Sequence, residues 1–203
     1  MRRLSRPEQP EFLKENWEKW GEQFKSLRAK NAGAKFQWPT FEKQRINIPL
    51  SELLATASQE HCAYCDFHPL GSKEDSIDHF RPKSHPAFHH LVCKWENLYF
   101  SCPNCQGFKK EQWSNDPILI APDEEGYSFQ RFFIIDSRTW QIEVNPTASA
   151  SDQLRAEYTI ETLGLRDSKH AIGRRVNQER YDLKIQANEE INLDDFAYRY
   201  LFE

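Results

Sequence analysis

The chain has 203 residues and a net charge of −4, with 38% hydrophobic and 29% charged side chains. That length suits one domain, or a small domain with helical additions, and permits a sizeable core; no apolar run is long enough to span a bilayer. The acidic balance excludes a histone-like, sequence-blind DNA binder, since that mode relies on many Lys and Arg neutralising phosphates.

Charge is unevenly spread: residues 1–60 carry 11 basic and 8 acidic side chains, 62–113 carry 6 of each, and 114–203 carry 10 basic and 17 acidic. Nucleic acid is therefore expected at the N-terminal half. The opening residues MRRLSRPEQPEF hold no apolar segment of the kind an export signal needs, so a cytoplasmic protein is expected.

Phe12, Leu13, Trp17, Trp20, Phe24 and Leu27 recur at three- and four-residue steps and predict a packing helix over residues 7–30. Asn31-Ala-Gly-Ala breaks it, and Trp38-Pro-Thr reads as loop. A shorter helix is expected near Pro49, with Leu50, Leu53, Leu54 and Ala57 on one face. Further on, residues 116–126 read as a turn-rich connection, and 128–135 with 140–144 read as a β-hairpin. A helix capped near Ser151 or Asp152 carries Leu154, Tyr158 and Leu163 on one face and stops at Gly164. Another starts near Ser168 and bears Ile172, Val176 and Leu183; residues 196–202 end the chain in an aromatic cluster suited to core packing or to docking.

Between the two N-terminal helices and the hairpin lie two Cys-x-x-Cys pairs, Cys62/Cys65 and Cys102/Cys105, thirty-six residues apart. In a reducing compartment such pairs read as metal ligands, each offering two thiolates from one tight knuckle; a redox or disulfide pair is the alternative. Four sulfurs make a closed tetrahedral zinc site with no position for water, so the zinc is structural. Cys93 reads as a small buried residue. Six of the seven histidines (His61, His68, His79, His85, His89 and His90) fall within this region, which raises a second metal site beside the plainer reading of a surface loop for the last three. Asp78-His79, followed by Pro82, can place a hard-metal ligand and a general base side by side on one strand. Asn97 suits a turn or helix cap and, compatibly, a residue that orients the histidine.

Asp78-His79-Phe80-Arg81-Pro82-Lys83-Ser84, Trp95-Glu96-Asn97-Leu98 and the second Cys-x-x-Cys resemble the HNH, or ββα-metal, endonucleases with a four-cysteine zinc site. More closely, they resemble the HNH proteins encoded beside an ATPase in Septu and related retron anti-phage systems. The resemblance implies an α+β fold: a ββα-metal core with structural zinc at residues 61–115, an N-terminal helical region at 1–60, and a hairpin plus helical region at 116–203. It implies His79 as general base, Asp78 as ligand to a catalytic Mg²⁺ or Mn²⁺, and Asn97 as the residue orienting His79. The third motif position is Gln106, where the family usually has Asn or His; its amide oxygen is the second candidate ligand. Arg81, Lys83, Lys109 and Lys110 would grip phosphates, or stand as ordinary solvated charges.

The function implied is hydrolysis of a nucleic-acid phosphodiester, most simply DNA, by a nuclease subunit working with an ABC- or SMC-like ATPase partner. A different class stays open: a catalytically inactive zinc module that binds DNA or the ATPase.

Overall fold

Helix α1 (Glu11–Lys30) begins only after Pro10, whose carbonyl accepts from the backbone N–H groups of Leu13 and Lys14. Pro7 and Pro10 account for the shorter start, since a residue before proline is pushed away from helical backbone. The computed structural model describes residues 1–67 and 77–203; His68, one of the clustered histidines, lies outside the described residues. Beyond α1, strands β1 (Thr40–Phe41) and β2 (Gln44–Arg45) pair antiparallel across Glu42 and Lys43, both at positive φ. Two consecutive residues of that kind make the mirror-image turn whose twist suits a tight hairpin, and with neither Gly nor Asn to signal it, the hairpin escaped the sequence reading.

Helix α2 (Asn47–Ala57) buries Leu50, Leu54 and Ala55, with Pro49 in its first turn. Strands β3 (Ile77–His79) and β4 (Leu98–Phe100) pair antiparallel, Asp78 opposite Tyr99 and His79 opposite Leu98. Helix α3 (Pro103–Lys109) follows at once, with Cys102 as its cap. The expected hairpin is present only in part: Ser128 accepts from the Arg131 backbone N–H and starts a one-turn helix, α4 (Phe129–Phe132), before β5 (Phe133–Ile135) pairs with β6 (Ile142–Val144). A serine cap won over strand propensity there. Helix α5 (Ala150–Leu163) is capped by Ser149 and closed by Gly164 at φ +62°, and α6 (Ser168–Gln186) is capped by Asp167.

Two apolar cores meet at the β3–β4 pair. Because successive residues of a strand face opposite ways, Leu98 and Phe100 join α1 and α2 on one side while Tyr99 joins the cysteine knuckles, α5 and the chain's last aromatics on the other. Phe196, Tyr198 and Tyr200 are buried, so the terminal aromatics serve the core. They are locked by Arg199, whose guanidinium pairs with Asp66 at 2.7 Å just after the first knuckle. The α5 and α6 stripes are less buried than their spacing suggests: Leu154, Ile172, Val176 and Leu183 are exposed. What α6 buries is His170, Ala171 and Arg174, the last bonded to the Leu165 and Trp140 carbonyls and the Tyr200 hydroxyl.

Helix α1 seats on the 3₁₀ turn Pro86–Leu91 at Gly21, where an added Cβ would fall 2.0 Å from the His90 carbonyl oxygen. Overpacking costs about 1–3 kcal/mol, more than the ~1 kcal/mol that Ala ordinarily gains over Gly inside a helix. Gly21→Ala is therefore expected to lower the thermal midpoint measured by circular dichroism; a midpoint at or above wild type would show that α1 does not seat this way.

Candidate metal centre and the strand beside it

Cys62, Cys65, Cys102 and Cys105 are all buried free thiols whose sulfurs lie within 4.8 Å of one another. Metal–sulfur bonds of about 2.3 Å give a tetrahedron with edges of about 3.8 Å, and Cys65 Sγ stands 3.7 Å from Cys102 Sγ. The knuckles are built to receive a cation. The Cys102 backbone N–H donates to Cys62 Sγ at 3.3 Å and the Cys105 N–H to Cys102 Sγ at 3.4 Å, bonds that favour thiolate. Burial by itself disfavours the Cys62 thiolate, yet hydrogen bonds from Cys102, Cys105 and Cys65 hold this thiol well below its usual range. Burial and Cys102 push Cys65 up, and the hydrogen bonds of its neighbours push Cys105 up. Four buried sulfurs at tetrahedral spacing, two of them accepting from backbone N–H groups, fit zinc.

Among the described residues, this is the group of three or more His, Cys, Asp or Glu side chains gathered tightly enough to hold an ion. The histidines go elsewhere. His61 bonds the Phe196 carbonyl at 2.9 Å, His89 the Ser84 carbonyl at 3.2 Å, and His85 caps the Pro86–Leu91 turn. Cys93 is buried, its thiol pushed up to about 12 by that burial, in keeping with a packing role.

On β3 the alternation of faces separates the two residues expected side by side. Asp78 turns toward the cysteine-knuckle core, where its Oδ2 accepts from the Tyr64 hydroxyl at 2.8 Å and pairs with Lys109 Nζ at 3.0 Å. His79 turns to the other core and is 4% exposed. Its Nε2 lies 2.9 Å from the Val92 carbonyl; a carbonyl only accepts, so the proton is assigned to Nε2 and Nδ1 carries the lone pair. Nδ1 is buried with no hydrogen-bond partner. The Trp38 ring stacks on the imidazole at 5.4 Å and Phe36 meets it edge-on at 5.5 Å. Burial, reinforced by Lys83 and Lys109 against the Val92 carbonyl, pushes His79 down to about 3. It is thus a neutral acceptor near pH 7, held dry.

Asn97 does not grip His79 directly. Its Oδ1 accepts from the Arg81 N–H at 2.7 Å and its Nδ2 donates to the Arg81 and Leu91 carbonyls at 3.3 and 3.1 Å, so it closes the loop whose next residue, Val92, holds the imidazole. Gln106 sits in the first turn of α3 and donates from Nε2 to the Ser101 carbonyl at 2.9 Å. Arg81, Lys83 and Lys110 are exposed, as a phosphate contact requires. Lys109 is not: it is 1% exposed, bonded to Asp78 and to the His79 carbonyl at 2.7 Å, a position at odds with a phosphate grip. Its place was legible in principle, since it follows buried Cys105 by four residues and so shares the inward face of α3. Nothing in the sequence pointed to Tyr64, Trp38 or Phe36 as partners of the Asp-His pair.

The chain matches no protein-family model and no curated protein. Among the described residues no helix is long and apolar enough to cross a membrane.

Two outcomes follow from this geometry. The purified protein is expected to hold about one zinc per chain by metal analysis and to lose it, with a lowered unfolding temperature, in Cys102→Ser; zinc retained in that variant would remove Cys102 from the cluster. Trp38→Ala should speed carbethoxylation of His79, mapped by mass spectrometry, well above the wild-type rate. A rate equal to wild type would mean that Trp38 does not seal the ring.

Proposed function

We propose that the chain is a zinc-stabilised, metal-dependent endonuclease of the HNH, ββα-metal type, hydrolysing phosphodiester bonds of nucleic acid, DNA most simply. The observation that carries this reading is His79: a strand-borne imidazole whose proton is fixed on Nε2 by a main-chain carbonyl, leaving Nδ1 a bare acceptor on the strand that also carries Asp78. The order β3, β4, α3, clasped by two cysteine knuckles, supports a ββα core.

In this reading His79 Nδ1 takes a proton from water and the hydroxide attacks phosphorus in line with the leaving oxygen. Asp78 Oδ2 takes the Tyr64 and Lys109 bonds, so Asp78 would offer its Oδ1 to a hard ion, with Gln106 the further candidate. The chemistry that a Mg²⁺ or Mn²⁺ would supply there is charge neutralisation at the phosphate. Lys109 already balances Asp78, so such an ion would have to compete with that pair. Arg81, Lys83 and Lys110 position the backbone without reading bases. The resemblance to Septu and retron proteins supports an anti-phage, cytoplasmic setting and an ATPase partner. The sealed imidazole and the occupied Asp78 favour the second reading, an inactive zinc module that binds DNA or the ATPase.

Plasmid incubated with zinc-loaded protein and Mg²⁺ or Mn²⁺, with and without the neighbouring ATPase, is expected to be cut. His79→Ala should slow cutting by about 10²-fold or more. DNA left intact under every condition, or His79→Ala as active as wild type, would give the reading to the inactive module.

A further inference from the structure

The loop that leaves β3 carries more than cations. The Arg81 guanidinium lies over the rings of Phe88 and Trp113, 5.8 and 5.7 Å from their centroids. His85 stacks on Phe88 at 4.7 Å and 26°, and Trp113 meets Phe88 edge-on at 5.1 Å. Arg81 and His85 are exposed, and Phe88 and Trp113 are half-buried, Trp113 seated at the margin of the knuckle-side core.

The cluster is preformed. His85 N–H donates to the Pro82 carbonyl and Phe88 N–H to the His85 carbonyl; His85 Nδ1 accepts from the Ala87 N–H; and Asn97 holds both the N–H and the carbonyl of Arg81. Phe80, next to His79, packs edge-on to Trp113 at 5.8 Å, which ties the rings to the catalytic strand.

We propose that Arg81, His85, Phe88 and Trp113 form a stacking shelf for an unpaired nucleobase beside the Asp78-His79 strand, making single-stranded or locally melted nucleic acid the preferred substrate. This rests on the nuclease reading for its purpose, but not for its test. Duplex binders draw their affinity mainly from phosphate neutralisation, and a chain of net charge −4 with Arg81, Lys83 and Lys110 exposed here has little of it to offer. Aromatic faces with interleaved cations instead take bases whose π-surfaces are free, which a duplex hides within its own stack.

Fluorescence anisotropy of zinc-loaded protein without added Mg²⁺ reads binding apart from cleavage. A short single-stranded oligonucleotide is expected to bind more tightly than the duplex of the same sequence. Trp113→Ala and His85→Asn, the latter keeping a capping acceptor, should each weaken the single-strand complex about tenfold and leave the duplex complex nearly unchanged. Abasic sites in the strand should weaken binding to wild type but not to the variants. Equal affinity for strand and duplex, or wild-type affinity in His85→Asn, overturns the shelf. If Trp113→Ala fails to fold, exposed His85 still decides. Cleavage with no dependence on these rings sinks the shelf and spares the nuclease; stacking without cleavage does the reverse.

Discussion

Four buried sulfurs converging within 4.8 Å are the constraint on which the surrounding structure depends. The β3–β4 ladder has three residue pairs, and so short a two-stranded ladder is at best marginal in water. The knuckles compensate. Cys62 and Cys65 precede β3 while Cys102 and Cys105 sit at the junction of β4 and α3, so one ion would tie together both ends of a long excursion. Ala63 N–H donates to the Phe100 carbonyl at 2.8 Å, joining the first knuckle to β4 directly. Metal binding and folding would then be one equilibrium, because the unfolded chain has no such cluster.

Buried charge extends the same logic outward. Lys109, Arg174 and Arg199 are each at most 2% exposed, and each is bonded to oxygens from distant parts of the chain. Arg199 pairs with Asp66 and also donates to the Ser58 carbonyl, so the C-terminal segment is welded to the first knuckle. Buried cations left without such partners are expensive. These three therefore specify how the C-terminal residues and α6 dock, where apolar packing alone would tolerate several arrangements.

The extent of what the sequence revealed follows from the range of the forces involved. Helix α1, the Gly164 stop and the four-cysteine cluster were legible because they rest on periodicity, capping chemistry or fixed spacing within a few residues, whereas the cap expected at Ser151 or Asp152 is Ser149. The turn at Glu42-Lys43 and the one-turn helix at Phe129–Phe132 were not, since ordinary residues adopt them under tertiary pressure. For Asp78, His79 and Asn97, the candidate residues the sequence singles out, the partners could not be read from it. The Val92 carbonyl is a backbone atom with no signature, and the Trp38 and Phe36 contacts join residues about forty positions from His79. Exposed Ile172, Val176 and Leu183 show the converse, a helical stripe without the burial it suggests.

Gly21 lets α1 come close enough to lie against the His90 backbone. That turn runs directly into Val92, the acceptor for His79, while the other end of α1 feeds the segment that carries Phe36 and Trp38 over the same imidazole. One rigid rod thus rests on both the seat and the cover of the ring. Helix α1 therefore borders the dry compartment twice, at the turn that leads to the histidine's acceptor and, through Phe24 against Phe36, at the rings that cover it, so a single helix bounds both walls of the imidazole's enclosure.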